Sequence, residues 1–248
     1  VTVILIVKFY FMIEQIRIVL VEPAGALNVG SIARVMKNMG LRQLVLVNPR
    51  CDRNSEEARR MAVHAADVLE AAEIVDSLPA ALQGCERAIA TAVRTRSPDV
   101  PLEHPRTALP WLLDAPSALI FGAEERGLSN AELQYAQRLV YIPASADYVS
   151  LNLAQAVAVC CYELTQAALE PASSSALHAV AAIDALEGYY GHLESVLLQI
   201  GYLHPHTAAS RMEKFRRLFN RAQLSSEEVS MLRGILRQME WAATQQGE

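Results

Sequence analysis

The chain is short of several things at once. It has four cysteines in 248 residues, and aromatic residues make up 6%. Cys51, Cys85, Cys160 and Cys161 form no C-x-x-C, and the last two adjoin each other inside a stretch with helical spacing. That pattern excludes a disulfide framework and a zinc site and fits a reducing cytoplasm. The six histidines are scattered, with His204 and His206 the one close pair, in a loop, so no metal is expected. Residues 1–11, V-T-V-I-L-I-V-K-F-Y-F, are broken by Lys8 and too short to span a bilayer, and no small-residue cleavage site follows their apolar part. No membrane is therefore expected. Neither G-x-G-x-x-G nor a P-loop occurs, which disfavours standard dinucleotide and triphosphate binding. Lysine is nearly missing: Lys8, Lys37 and Lys214 are three of 22 basic residues, and the formal net charge is −5. No global basic field favours nucleic acid, but an arginine-dominated set suits forked recognition of phosphates and carboxylates.

What is present is a 52% apolar, 20% charged sequence with room for one large domain, or one and a small one. Met12-Ile13-Glu14-Gln15 reads as a more natural beginning than Val1. Residues 1–14 are thus expected to be an N-terminal extension, disordered or from a non-native start. Residues 16–21, I-R-I-V-L-V, are short and β-branched, as a buried strand is. From Asn28 the spacing turns helical, with Val29, Ile32, Val35, Met36 and Met39 in one stripe and Gly40 closing it. Asn28 itself reads as a helix N-cap in the plainest view. Residues 44–47 give the next strand, so strand, helix and strand form a βαβ unit of a parallel sheet. Helix is expected over 55–66 and 78–83, and strand over 88–92, 117–121 and 139–142. Ser129 and Glu132 make a capping box. A long alanine-rich helix follows Tyr148–Ala156 and runs to about Ala168, with Ser150 close to its start.

Glu170-Pro-Ala-Ser-Ser-Ser175 reads as a linker. The expected organisation is an extension over 1–14, an α/β domain over 15–169, a linker over 170–176 and a helical domain over 177–248. The helices of the last part are expected over 177–203, 207–221 and 225–243, the third opened by a capping box of Ser225 and Glu228. The second carries Arg211, Lys214, Arg216, Arg217 and Arg221 against Glu213, with Phe215 and Phe219 between them. Such a face suits a nucleic-acid backbone; it equally suits a solvated helix whose phenylalanines pack on their neighbours.

In a parallel α/β sheet, ligands bind beyond the carboxyl ends of the strands. Four polar or glycine-bearing loops occupy such places: the turn to Asn28, the arginine loop after Thr91, the loop at Gly122, and the turn from Ile142 to Asn152. None contains histidine, which weakens a hydrolase reading.

Three stretches in order, N-V-G-S-I-A-R (28–34), F-G-A-E-E-R-G-L (121–128) and S-L-N-L-A (150–154), resemble the signature motifs of the SPOUT (TrmH-type) RNA 2′-O-methyltransferases. Within them the likeness is to the bacterial TrmJ group, whose helical C-terminal extension R-R-L-F-N-R-A and L-R-G-I-L also resemble. The resemblance implies a SPOUT fold: a parallel sheet flanked by helices, a C-terminal trefoil knot and a small helical extension. It implies S-adenosylmethionine as cofactor, held by Thr91, Ala92, Val93, Gly122, Ile142, Ser150, Leu151 and Asn152, mostly through the backbone. It further implies a homodimer with each site completed by the partner, tRNA as substrate, and 2′-O-methylation of cytidine or uridine 32 of the anticodon loop. Arg34 and Ser150 would activate the 2′-hydroxyl, with Asn28 and Glu124 orienting Arg34 or closing the site, and Arg211, Lys214, Arg216, Arg217 and Arg221 would meet RNA. An rRNA 2′-O-methyltransferase and a non-catalytic RNA-binding protein on the same fold are the alternatives. Ala123 and Glu125 depart from the common pattern of the second motif, which often has a basic residue there.

Overall fold

A computed structural model of the chain describes residues 12–93, 101–169 and 180–245. Most of the expected extension, the arginine loop over 94–98 and the linker over 170–176 lie outside the described residues. The chain divides into two compact units, residues 1–174 and 175–248.

The first unit is built on seven parallel strands: β1 (Ile16–Val21), β2 (Gln43–Val47), β3 (Glu73–Val75), β4 (Arg87–Thr91), β5 (Leu102–Glu103), β6 (Ser117–Phe121) and β7 (Arg138–Val140). They lie in the order β3-β2-β1-β6-β4-β7-β5. The middle of the sheet is made from the most apolar runs. β1 pairs with β2 in the register Ile18↔Leu44 and with β6 in the register Ile18↔Leu119, and these residues are buried. A strand covered on both faces has no reason to alternate polar and apolar residues, hence I-R-I-V-L-V and S-A-L-I-F. β3 and β5 were not expected. They are edge strands of three and two residues, and Ile74 of β3 is exposed, so neither carries a run long enough to read.

Helix α1 (Ala26–Asn38) turns its stripe of Val29, Ile32, Ala33 and Met36 into the core. It begins two residues before the expected start, with Gly25 and not Asn28 at the N-cap. The helix expected over 55–66 is two: α2 (Glu56–Ala62), capped by Ser55, and α3 (Ala66–Ala71). Val63 separates them at φ 54, a conformation that β-branched residues rarely adopt and that no local pattern announces. α1 and α2 touch through backbone: a Cβ on Gly30 would stand 2.1 Å from the carbonyl oxygen of Ala58. Short helices α4 (Leu78–Ala81) and α5 (Pro105–Ala108) follow, then a 3₁₀ turn over Leu109–Asp114 and α6 (Asn130–Leu133), which has the expected capping box of Ser129 and Glu132. α7 (Leu153–Leu169) closes the unit by packing on α1. Of the segment expected to extend from the fold, Ile13 is fully buried in this core.

The second unit holds α8 (Ile183–Gln199), α9 (Ala208–Ala222) and α10 (Ser226–Gln245) around Leu186, Tyr189, Tyr190, Leu193, Met212 and Val229. Ser225 and Glu228 cap α10 reciprocally. Among the described residues no helix is long and apolar enough to cross a membrane.

Candidate functional site

Four neighbouring strands, β1, β6, β4 and β7, bring their carboxyl ends to one edge of the sheet. The strand order runs outward one way from β1 through β3 and the other way from β6, so this edge is where a parallel sheet opens a crevice. A cleft of about 300 Å³ lies there. It is lined by Thr91, Ala92 and Val93 after β4, Gly122 to Leu128 after β6, Ile142 after β7, and Val149, Ser150 and Leu151 before α7. Seven of the eight residues expected to hold a cofactor are in that lining.

The eighth, Asn152, is outside that lining and starts a helix. Its Oδ1 accepts from the N–H groups of Ala154 (2.9 Å) and Gln155 (3.4 Å), while its own N–H donates to Gln155 Oε1. Asn152, not Ser150, thus caps α7, satisfying N–H groups that a helix start leaves without partners. Its Nδ2 donates to Asn28 Oδ1 at 3.0 Å. Asn28 Nδ2 in turn donates to Glu124 Oε1 at 3.0 Å. Glu124 also accepts from the N–H groups of Ala24 and Gly25, each at 3.1 Å. One side chain from each of the three motifs is joined in a single chain of hydrogen bonds. Burial pushes the Glu124 carboxyl up, but the bonds from Asn28, Ala24, Gly25 and its own N–H outweigh this and hold it below the usual range. Its negative charge is felt nearby: burial first, then Glu124 and Asp52, push the Cys51 thiol up.

The loop after β6 is pinned a second time. Arg126 makes a two-pronged pair with Glu132, both bonds 2.8 Å, and reaches Glu22 at 3.2 Å; Arg50 meets the same Glu22 oxygen. The Arg126 bonds hold Glu132 down at about 2 against burial, which acts the other way. Gly122 is required by this fold-back. A Cβ there would stand 2.2 Å from the carbonyl carbon of Gly127 and 2.4 Å from the nitrogen of Leu128. Gly122 thus allows the loop to approach itself, closed by Gly127 N–H donating to Ala123 O at 2.8 Å.

Arg34 stands apart. It is exposed on α1, lies outside the cleft lining, and has no hydrogen bond or ion pair among the described residues. Six positions after Asn28, it lies about 9 Å further along the helix and about 240° around it. Asn28 and Glu124 orient each other and Asn152, not Arg34. Ser150 is exposed at the cleft wall. Among the described residues no three His, Cys, Asp or Glu gather as metal ligands.

In the second unit the basic helix α9 divides its cations. Arg216 forms a two-pronged pair with Glu187 and lies over the Tyr190 ring at 4.5 Å. Arg211 lies over Tyr202 at 5.6 Å. Lys214 and Arg221 are exposed, and Arg217 is half-buried. Phe219 meets Tyr189 edge to face at 5.3 Å, and Phe215 tilts over Tyr202. Phe219 therefore packs on α8 and Phe215 on the connection between α8 and α9.

The chain that builds this cleft is similar along most of its length to known proteins. The tRNA (cytidine/uridine-2'-O-)-methyltransferase TrmJ of Cronobacter sakazakii is 43% identical over 239 residues, 92% of this chain and 97% of that protein. Its namesake from Klebsiella pneumoniae is 44% identical over 239 residues, 92% of this chain and 98% of that protein. The crystal structure of TrmJ from Z. mobilis superposes with a TM-score of 0.81 at 31% identity, covering 90% of this chain and 98% of that one. Residues 184–248 match the tRNA methyltransferase TrmJ C-terminal domain. With residues 15–162 matching the SpoU rRNA Methylase family, over the segment that holds the sheet and all three motifs, the chain belongs to that family.

Proposed function

We propose that this protein is an S-adenosylmethionine-dependent tRNA 2′-O-methyltransferase that modifies cytidine or uridine at position 32 of the anticodon loop. The observation that carries this reading is the hydrogen-bonded line Glu124–Asn28–Asn152, which gathers three motifs beside one cleft. The relatives' name and the match to the TrmJ C-terminal domain support tRNA as the substrate class. The work would be done in the cytoplasm.

The cleft suits the cofactor. Its volume is at the lower end of small-molecule sites. Val140, Ile142, Leu151 and Leu128 offer apolar cover for a purine; we assign the cofactor's hydrogen bonds to backbone at Gly122 and Leu151 and to the carbonyl of Ala92, whose N–H is given to Val140 O. When bound there, S-adenosylmethionine supplies a methyl group activated on a sulfonium. The chain's own task is to bring a 2′-hydroxyl in line with it and take up the developing charge. In this reading Arg34 grips the neighbouring phosphate and stabilises the alkoxide; a guanidinium keeps its proton, so it is no general base. Ser150 holds the departing proton. Since Arg34 stands outside the cleft of its own chain, we assign it to the cleft of a second copy in a homodimer. The turn between Ile142 and Asn152 is the segment we assign to the trefoil knot. Lys214 and Arg221 are the α9 residues left to meet RNA; Arg216 serves the helical unit itself.

The test is transfer of labelled methyl to unmodified tRNA, followed by mapping of the methylated ribose. Label at nucleotide 32 supports the proposal, and label elsewhere in tRNA removes the position. The family's own description favours a second reading, rRNA as acceptor; transfer to rRNA fragments but not tRNA would establish it.

A further inference from the structure

Three charged side chains line the cleft among the described residues: Glu124, Glu125 and Arg126. Arg126 belongs to a line of four groups, Arg50, Glu22, Arg126 and Glu132, whose two positive and two negative charges cancel. Glu124 is satisfied by amide donors, which stabilise its charge without neutralising it. Glu125 is exposed and has no hydrogen bond or ion pair among the described residues. Within one chain the described wall therefore carries net negative charge, two carboxylates against the single Arg34 assigned from the second copy, and Glu125 is the carboxylate without a partner among the described residues.

That charge distinguishes two ligands of nearly the same shape. S-adenosylmethionine has a sulfonium, an ammonium and a carboxylate, net +1. Transfer breaks the sulfur–methyl bond with the electron pair left on sulfur, forms the oxygen–methyl bond and releases the hydroxyl proton. The by-product S-adenosylhomocysteine is then net neutral. We infer that Glu125 is a charge-selecting residue of the cleft, whose free carboxylate favours the cationic methyl donor over the neutral by-product and so assists exchange of one for the other. The inference rests on the reading of the cleft as the S-adenosylmethionine site. An exposed carboxylate a few ångströms from a cation acts through high dielectric and is screened by salt, so a preference of about three- to ten-fold is expected from it at low ionic strength.

The experiment is calorimetric titration of the full chain with S-adenosylmethionine and, separately, S-adenosylhomocysteine, at low and high salt. Glu125→Gln is expected to weaken the donor about three- to ten-fold at low salt, to leave the by-product unchanged, and to lose this difference at high salt. Glu57→Gln, the same change at an exposed carboxylate on α2 outside the cleft lining, should alter neither. An equal change for both ligands, or none for either, overturns the inference while leaving the cleft as the cofactor site. If the wild-type protein binds neither ligand, the inference and the proposed function fail together.

Discussion

Asn28 and Asn152, 124 positions apart, share a hydrogen bond of 3.0 Å from Nδ2 of Asn152 to Oδ1 of Asn28. It joins the first turn of α1 to the cap of α7. The other end of the Asn28 amide is held by Glu124. Each amide thus uses both its nitrogen and its oxygen, Asn28 between Glu124 and Asn152 and Asn152 between Asn28 and the start of α7. Asn28→Asp keeps the shape, removes the donor and sets a second carboxylate against Glu124. A stability loss of about 1–3 kcal/mol is expected by urea denaturation, together with weaker S-adenosylmethionine binding. Unchanged stability would show the network to be ornamental.

Gly30 and Gly122 are both closed to a side chain, but for different reasons. At Gly30 the obstacle is the Ala58 carbonyl of α2, and at Gly122 it is the backbone of Gly127 and Leu128 in the cleft loop. Each Gly→Ala change should cost about 2–3 kcal/mol or more, since backbone must move. The two separate by binding. Relative to its fraction folded, Gly30→Ala should bind the cofactor normally, and Gly122→Ala should not. Calorimetry beside thermal denaturation reads both quantities.

The Arg126–Glu132 pair sets a pH dependence. Glu132 is held at about 2 in the fold against an ordinary 4.5. A carboxyl lowered by folding contributes its full stability above the ordinary value and loses it as pH falls toward the folded one. The stability difference between wild type and Glu132→Gln should therefore be level from pH 7 to about 5 and shrink toward about pH 2.5. Glu124 acts in the same direction. A difference that grows on acidification would contradict the pairing.

On α9, pairing and exposure predict opposite consequences for two cations. Arg216→Ala removes the pair with Glu187 and the stacking on Tyr190 and should destabilise the second unit by about 2 kcal/mol. Lys214→Ala should leave stability alone and lower the slope of log affinity for tRNA against log salt by about one. Fluorescence anisotropy across a salt series measures the slope.

Much of this arrangement could be read ahead of the structure. β1, β2, β4 and β6 announce themselves because a doubly covered strand is a short apolar run with turn residues at its ends. The capping boxes at Ser129 and Ser225 are local patterns and hold. β3 and β5 escape because two or three residues at a sheet edge carry no periodicity. Val63 escapes because its conformation is set by how α2 and α3 pack, not by valine. At the site, Asn28 reads as a cap and Asn152 as a ligand contact, yet Gly25 starts α1 and Asn152 caps α7. Spacing cannot show a side-chain bond across 124 residues, and nothing local hints at the Arg50–Glu22–Arg126 line.

The central claim is that Arg34, exposed and apart from the cleft of its own chain, works in the cleft of a partner. Co-expression of Arg34→Ala and Ser150→Ala chains tests it directly, with methyl transfer to tRNA as the readout and each variant alone as the baseline. If Arg34 acts across the dimer, mixed pairs contain one complete site, and random pairing should restore about a quarter of wild-type turnover. Mixed pairs no more active than either variant alone, with both chains folded and paired, would contradict the account.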